Sequence, residues 1–238
     1  FSSRRRHTRY ISVTGVQTCA LPISVNVGGL QEMQNRRGNS FYSGIYKSPV
    51  SGEVSIGFSG VIGDAQGDQK NHGGPDNAVY AYSADHYAAW RREEKRDDLH
   101  AGFFGENLTV AALHEKDVRI GDLYRAGHVL LEVTQPRLPC ATLGVRFGDK
   151  EFPDRFQTSL RTGMYLRVLK EGVVQAGDEF LRERAGTVPL VEAVETIALG
   201  KATPERLARL KAESALSKRW RDKVDRLLAR EAVPPAAE

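Results

Sequence analysis

The chain has 238 residues, 40% of them hydrophobic, and 34 Lys and Arg against 30 Asp and Glu give a formal net charge of +4. No run approaches the roughly 18 apolar residues of a membrane-spanning helix. The basic balance is the only global hint of a nucleic-acid partner, and it lies in the amino-terminal residues.

Those residues read SRRRHTRYISVTGVQTCALPIS from Ser3 to Ser24, with four arginines and no acidic residue. A secretory signal needs roughly seven to fifteen continuous apolar residues. Here the best apolar run, Ala20 to Ile23, is broken by Pro22. The stretch resembles the translation of a short-read sequencing adapter, with Ser3–Arg9 and Val13–Ile23 as its two constant blocks and Tyr10–Ser12 as a variable index. Residues 1–24 are therefore set aside as an artefactual tail, and the native start is expected to be missing. Without the tail, 30 basic groups face 30 acidic ones and the nucleic-acid hint disappears. Cys140 is then the one remaining cysteine, which permits no internal disulfide and suggests a reducing, cytoplasmic setting. The chain length suits one good core with a small addition.

From Val25 to about Ala185 short strand-like runs alternate with Gly, Asp and Pro. In HVLLEVTQP, Val129, Leu131 and Val133 share one side of a strand. Two helical pieces interrupt the strands. ADHYAAWRREEK carries an aromatic face at Tyr87 and Trp90 or Arg91; PDRFQTSLRTG places Phe156 and Leu160 four apart, with Gly163 as the stop. This predicts a β-dominated α+β domain over 25–185, closed or nearly closed into a barrel. Three consecutive helical patterns then predict a three-helix carboxy-terminal domain over 187–231. Thr203 caps the second helix ahead of Pro204, and Ser214 is placed to cap the third. Residues 232–238 are expected to fray.

Three loops could carry chemistry. In KNHGGPDNAVYAY, Gly73 and Gly74 can turn consecutive N–H groups into one concavity suited to an anion, and His72 and Asp76 could add hydrogen bonds or metal ligation; a polar-ended hairpin is the plainer reading. In FGENLTV, Glu106 and Asn107 could read the edge of a heterocycle, or simply cap a turn. In TQPRLPCATLGVRFGD, Pro136 and Pro139 stiffen an arm that presents Arg137 and delivers Cys140 just before a helix. A helix start and a neighbouring arginine both lower a thiol pKa, which suits a reactive or metal-ligating cysteine; a small buried hydrophobe is the alternative. His86, His100, His114 and His128 are scattered and read as surface or packing residues. No phosphate-loop, dinucleotide or zinc spacing is present.

Taken together, GDAQGDQKNHGGPDNAVYAY, FGENLTV, VRIGD, TQPRLPC and RTGMYLRVL occur in the order seen in MOSC-domain proteins (molybdenum cofactor sulfurase C-terminal domain). VNVG at the start, SGIYKSPVSG, and LSKRWRDKV near the end make the chain similar to the YiiM-like branch, from Val25 to Glu231. The resemblance implies a β-rich barrel-like MOSC fold followed by a small three-helix domain, and a bound molybdenum–pterin cofactor (molybdopterin). Cys140 would be the catalytic, metal-ligating thiolate. His72, Gly73, Gly74 and Asp76 of the first loop, Glu106 and Asn107 of the second, and Gln135 and Arg137 of the third would line the cofactor site. It implies reduction of N-hydroxylated purines and related N-hydroxylated compounds, with a small molecule as substrate. A sulfur carrier with a persulfide on the same cysteine and a non-catalytic cofactor-binding protein are the alternatives. Iron–sulfur clusters usually take four cysteines, and no flavin or nicotinamide fingerprint appears, so the electrons should come from a separate protein. Neither nucleic acid nor membrane is expected as a partner.

Overall fold

A computed structural model of the chain describes residues 19–67 and 73–231. Most of the proposed tail, residue His72 and the expected frayed end at 232–238 lie outside the described residues. Fifteen strands run in chain order: β1 (Cys19–Val27), β2 (Gln31–Gln34), β3 (Ser40–Ser43), β4 (Ser48–Val50), β5 (Val54–Gly57), β6 (Gly60–Val61), β7 (Val79–Ser83), β8 (Leu108–Ala111), β9 (Arg119–Ile120), β10 (Leu123–Ala126), β11 (Val129–Pro136), β12 (Met164–Lys170), β13 (Gly172–Val174), β14 (Phe180–Arg184) and β15 (Val188–Pro189). Six α-helices accompany them: α1 (Asp85–Glu94), α2 (Ala141–Phe147), α3 (Phe152–Thr158), α4 (Leu190–Ala198), α5 (Pro204–Ala212) and α6 (Lys218–Glu231).

The main sheet runs β14-β10-β11-β12-β7-β8-β1-β4, and β14 also pairs with β1, which closes seven strands into the expected barrel. Closure removes the exposed edges that an open sheet would leave. Val129, Leu131 and Val133 are fully buried on the inner side of β11, as their alternation predicts. One pair in the barrel, β7 with β8, is parallel; the connection between them contains α1, as a parallel crossover requires.

The barrel seam takes in the last residues of the tail. Cys19 pairs with Leu181 and Ala20 with Phe180, and Leu21 to Ser24 pair along β8. Backbone ladder bonds do not depend on side-chain identity, so this short run can occupy a strand position. The register shifts between Pro22 and Ser24, where proline has no N–H to give. Deleting residues 1–24 should therefore cost stability relative to deleting 1–18, by about 2–4 kcal/mol for a handful of ladder bonds at ~0.5–1.5 kcal/mol each. Equal urea midpoints for the two truncations would show that the seam does not hold the barrel.

The helices follow their sequence signals with two corrections. His86, Tyr87 and Trp90 form the buried face of α1. The helix containing Phe156 ends at Thr158, and Leu160 lies beyond it in the left-handed region at φ 61°. Thr203 caps α5 by accepting from Arg206 N at 3.3 Å. The cap of α6 is Ser217 rather than Ser214, since Ser217 Oγ accepts from Trp220 N at 3.2 Å. The carboxy-terminal helices share a core with the barrel: Leu207, Leu210, Trp220 and Val224 belong to the same buried cluster as Ile120, Leu131 and Leu166. A second, aromatic cluster built on Tyr82, Trp90, Phe104, Phe152 and Phe156 packs on the other side.

Candidate cofactor site

β11 ends at Pro136 and hands the chain to the short arm Arg137–Pro139, which delivers Cys140 to the start of α2. Cys140 is extended, at φ −131°, and its carbonyl accepts the Leu143 N–H at 3.0 Å, so it stands at the helix cap as the two prolines predict. The arm is pinned from behind. Arg137 N donates to Gly163 O at 3.2 Å, and Gly163 N donates to Glu115 Oε1 at 2.8 Å. The other Glu115 oxygen meets His86 Nε2 at 2.7 Å, so His86 is a packing residue with a partner. Gly163 has φ 68°, and a Cβ there would lie 2.5 Å from the Ala81 carbonyl oxygen. Only glycine lets the arm approach β7 this closely.

The arm opens onto a cavity of about 660 Å³. Arg137, Cys140 and Asn107 line it, together with Lys47, Asp64, Asn77, Tyr80 and Tyr165, which the sequence does not single out. The Arg137 guanidinium is 5% exposed and stands 5.0 Å from the Tyr80 ring centroid. It has no carboxylate partner among the described residues, and its Nη1 is buried without a hydrogen bond. Burial works against its charge, but the facing Tyr80, Tyr165 and Cys140 outweigh that and hold its pKa above the ordinary arginine value. A permanent, desolvated cation of this kind calls for an anion. Across the cavity Asn77 donates Nδ2 to Gly73 O at 3.2 Å, which leaves its buried Oδ1 without a donor.

Lys47 is 6% exposed and ion-paired with Asp64. Burial lowers its pKa, and Asp64 opposes the shift. Asp64 also accepts from Gly28 N at 3.0 Å and from Asn107 Nδ2 at 2.8 Å. Asn107 Oδ1 in turn accepts from Tyr80 N at 3.1 Å. Asn107 therefore holds the wall together, with both ends of its amide in use.

Five predicted residues do not line the cavity. Gly73 and Gly74 lead into the short turn Pro75–Asn77, and their carbonyls orient Asn77. Glu106 is wholly buried; its Oε1 accepts from Tyr87 Oη, from Gly102 N at 2.7 Å and from Thr109 Oγ1 at 2.8 Å. Burial raises its carboxyl pKa, and these hydrogen bonds oppose the rise. It braces the 102–109 loop behind the wall. Asp76 turns away to accept from Arg167 Nε at 2.9 Å and from Lys218 N at 2.8 Å, the first N–H of α6. Gln135 accepts from Ser217 Oγ, and Ser217 N donates to Thr134 O at 3.2 Å. Asp76 and Gln135 thus clamp the start of α6 to both strands of loop that carry Asn77 and Arg137.

Residues 68–181 match the MOSC domain family. The chain is 39% identical to YflK of Bacillus subtilis (strain 168), over 87% of this chain and 95% of that protein. It is 33% identical to the protein YiiM of Escherichia coli (strain K12), over 84% of this chain and 88% of that one. The chain belongs to the MOSC-domain family, on its YiiM-like branch. The crystal structure of YiiM from Geobacillus stearothermophilus superposes with a TM-score of 0.74 at 30% identity, over 88% of this chain and 99% of that one. The chain is also 40% identical, over 59% of its length, to 26% of a longer Gibberella moniliformis (strain M3125 / FGSC 7600) protein named reductase. MOSC domains are associated with the molybdenum cofactor, and the cavity can be tested against that group. A cofactor phosphate fits the Arg137 cation with its unbonded Nη1, the donor-rich edge of a pterin fits the orphaned Asn77 acceptor, and the Cys140 sulfur is a donor a pterin-bound metal can take. No cluster of three His, Cys, Asp or Glu among the described residues could hold a metal. A pterin-bound metal brings ligands of its own.

Proposed function

We propose that this MOSC protein is a molybdenum-cofactor-dependent reductase of N-hydroxylated purines and related N-hydroxylated compounds, working in the cytoplasm with electrons from a separate protein. The observation that carries the proposal is the buried Arg137 guanidinium, without a carboxylate partner among the described residues and with Nη1 unbonded, facing the same cavity as the Cys140 thiol. Arg137 holds the cofactor's anionic end, Asn77 orients its heterocycle, and Cys140 supplies one thiolate to the metal. When bound, the cofactor supplies two-electron removal of oxygen from nitrogen. The overall change is R–NHOH + 2 e⁻ + 2 H⁺ → R–NH₂ + H₂O. The Lys47 ammonium, with its lowered pKa, is a wall group able to lend a proton from Nζ, and Asp64 holds it in place. The walls of Tyr80, Phe104 and Tyr165 limit water around the reacting bond. The name of the Gibberella relative agrees with reduction, and its length beyond the matched quarter leaves room for other functions in one chain.

The test uses cofactor-loaded protein, reduced methyl viologen as the donor and N6-hydroxyadenine as substrate. Adenine should form in proportion to loaded protein. Absence of turnover by loaded protein, or equal turnover after the cofactor is stripped, would end the reductase reading.

A further inference from the structure

The mouth of the cavity carries a ring that is unengaged among the described residues. Tyr42 is 61% exposed and still lines the cavity. Among the described residues neither its ring nor its hydroxyl has a hydrogen-bond or ring partner. The other rings of the wall are occupied. Tyr80 and Tyr165 face each other at 5.3 Å, Phe104 meets Tyr82 at 4.9 Å, and Phe41 packs against the aromatic cluster.

The hairpin that carries the ring is anchored. β2 and β3 pair only with each other, with Glu32 opposite Tyr42 and Met33 opposite Phe41. Met33 is 4% exposed and ties the hairpin into the aromatic cluster. Just beyond β3 a Cβ on Gly44 would lie 1.8 Å from the Ala65 carbonyl oxygen, so the hairpin base sits hard against the loop that carries Asp64. An exposed aromatic on an anchored hairpin at the rim of a polar cavity offers a π-face with one apolar side and one wet side.

We infer that Tyr42 selects planar heteroaromatic substrates by stacking on the base while the N-hydroxyl group points inward past it. The inference rests on the reductase reading above. Every base has a π-face, so stacking favours purine-like rings over small non-aromatic compounds without demanding one hydrogen-bond pattern. The inner polar atoms of Arg137 and Asn77 are left to the cofactor.

The experiment compares wild type, Tyr42→Ala and Tyr42→Phe as holoenzymes driven by reduced methyl viologen. The substrates are N6-hydroxyadenine and N-hydroxyurea. Tyr42→Ala should raise KM for N6-hydroxyadenine roughly tenfold with kcat within about twofold, and Tyr42→Phe should stay near wild type, because stacking needs the ring and not the hydroxyl. KM for N-hydroxyurea should not move in either variant. Unchanged KM for N6-hydroxyadenine, or an equal rise for both substrates, would overturn the inference. If wild type reduces neither compound, the reductase reading falls, and calorimetric binding of adenine decides Tyr42 by itself. Roughly tenfold weaker binding to Tyr42→Ala would sustain the ring's role; equal or absent binding would overturn it.

Discussion

Cys140→Ser should abolish reductase turnover and leave the melting temperature within about 2–4 °C of wild type, the shift expected for a change of ~1 kcal/mol in a chain of this size. Cys140 is half-buried at the cavity and belongs to neither hydrophobic cluster, so a side chain of nearly the same volume disturbs little packing. What changes is the donor. A soft, ionisable sulfur becomes a hard hydroxyl that is not ionised at neutral pH. Arg137→Ala should act on binding instead. It removes a charge-assisted contact of about 1.5–3 kcal/mol, so pterin should be held roughly ten- to a hundredfold more weakly. Pterin fluorescence after gel filtration reads the second effect, and dye-driven turnover reads the first. Full turnover by Cys140→Ser would return Cys140 to a packing role. Cyanide-labile sulfur on wild-type Cys140 with no molybdenum would favour the sulfur carrier.

Ending the chain before Thr187 should yield protein that does not fold. The sequence presents the last three helices as a separate unit, but their packing is continuous with the barrel. Leu190, Leu207, Leu210, Trp220 and Val224 are each at most 1% exposed within the barrel's own cluster. At ~1.5–3 kcal/mol for each large buried side chain, their loss approaches or exceeds the ~5–15 kcal/mol by which domains are stable. β15 pairs with β9, and the start of α6 is bonded to Asp76, Thr134 and Gln135. A milder lesion isolates this junction. Ser217→Ala removes the cap of α6 and its bond to Gln135, at a cost of about 1–2 kcal/mol, and it should loosen pterin retention well below the melting temperature. A soluble, cooperatively melting truncation with normal pterin content would refute the shared core.

The barrel and the helices were legible because period-2 and helical patterns report burial directly. Cys140 and Arg137 were legible because prolines fix the arm that presents them. The rest of the wall was not. Lys47, Asp64, Asn77, Tyr80 and Tyr165 come from four separate stretches, and only the β7–β12 pairing and the packing of the 64–67 loop bring them together. The resemblance assigns Asp76, Glu106 and Gln135 to the cofactor site, whereas their side chains lie behind the cavity wall, and no local pattern tells whether a polar residue there faces inward or away. Asp76 faces a helix start 142 residues further along the chain, a partner no local pattern can reveal. The strand at Cys19–Ser24 shows the same limit, since ladder bonds can recruit a segment whose sequence argues for exclusion.

The most direct measurement is the molybdenum and pterin content of freshly purified wild-type protein beside Cys140→Ser and Arg137→Ala. Wild type should carry molybdenum and pterin in equal amounts, Cys140→Ser should keep pterin with altered metal ligation in its X-ray absorption spectrum, and Arg137→Ala should lose both. Wild type free of molybdenum and pterin after expression in cells that make the cofactor, or variants indistinguishable from it, would contradict the assignment of this cavity.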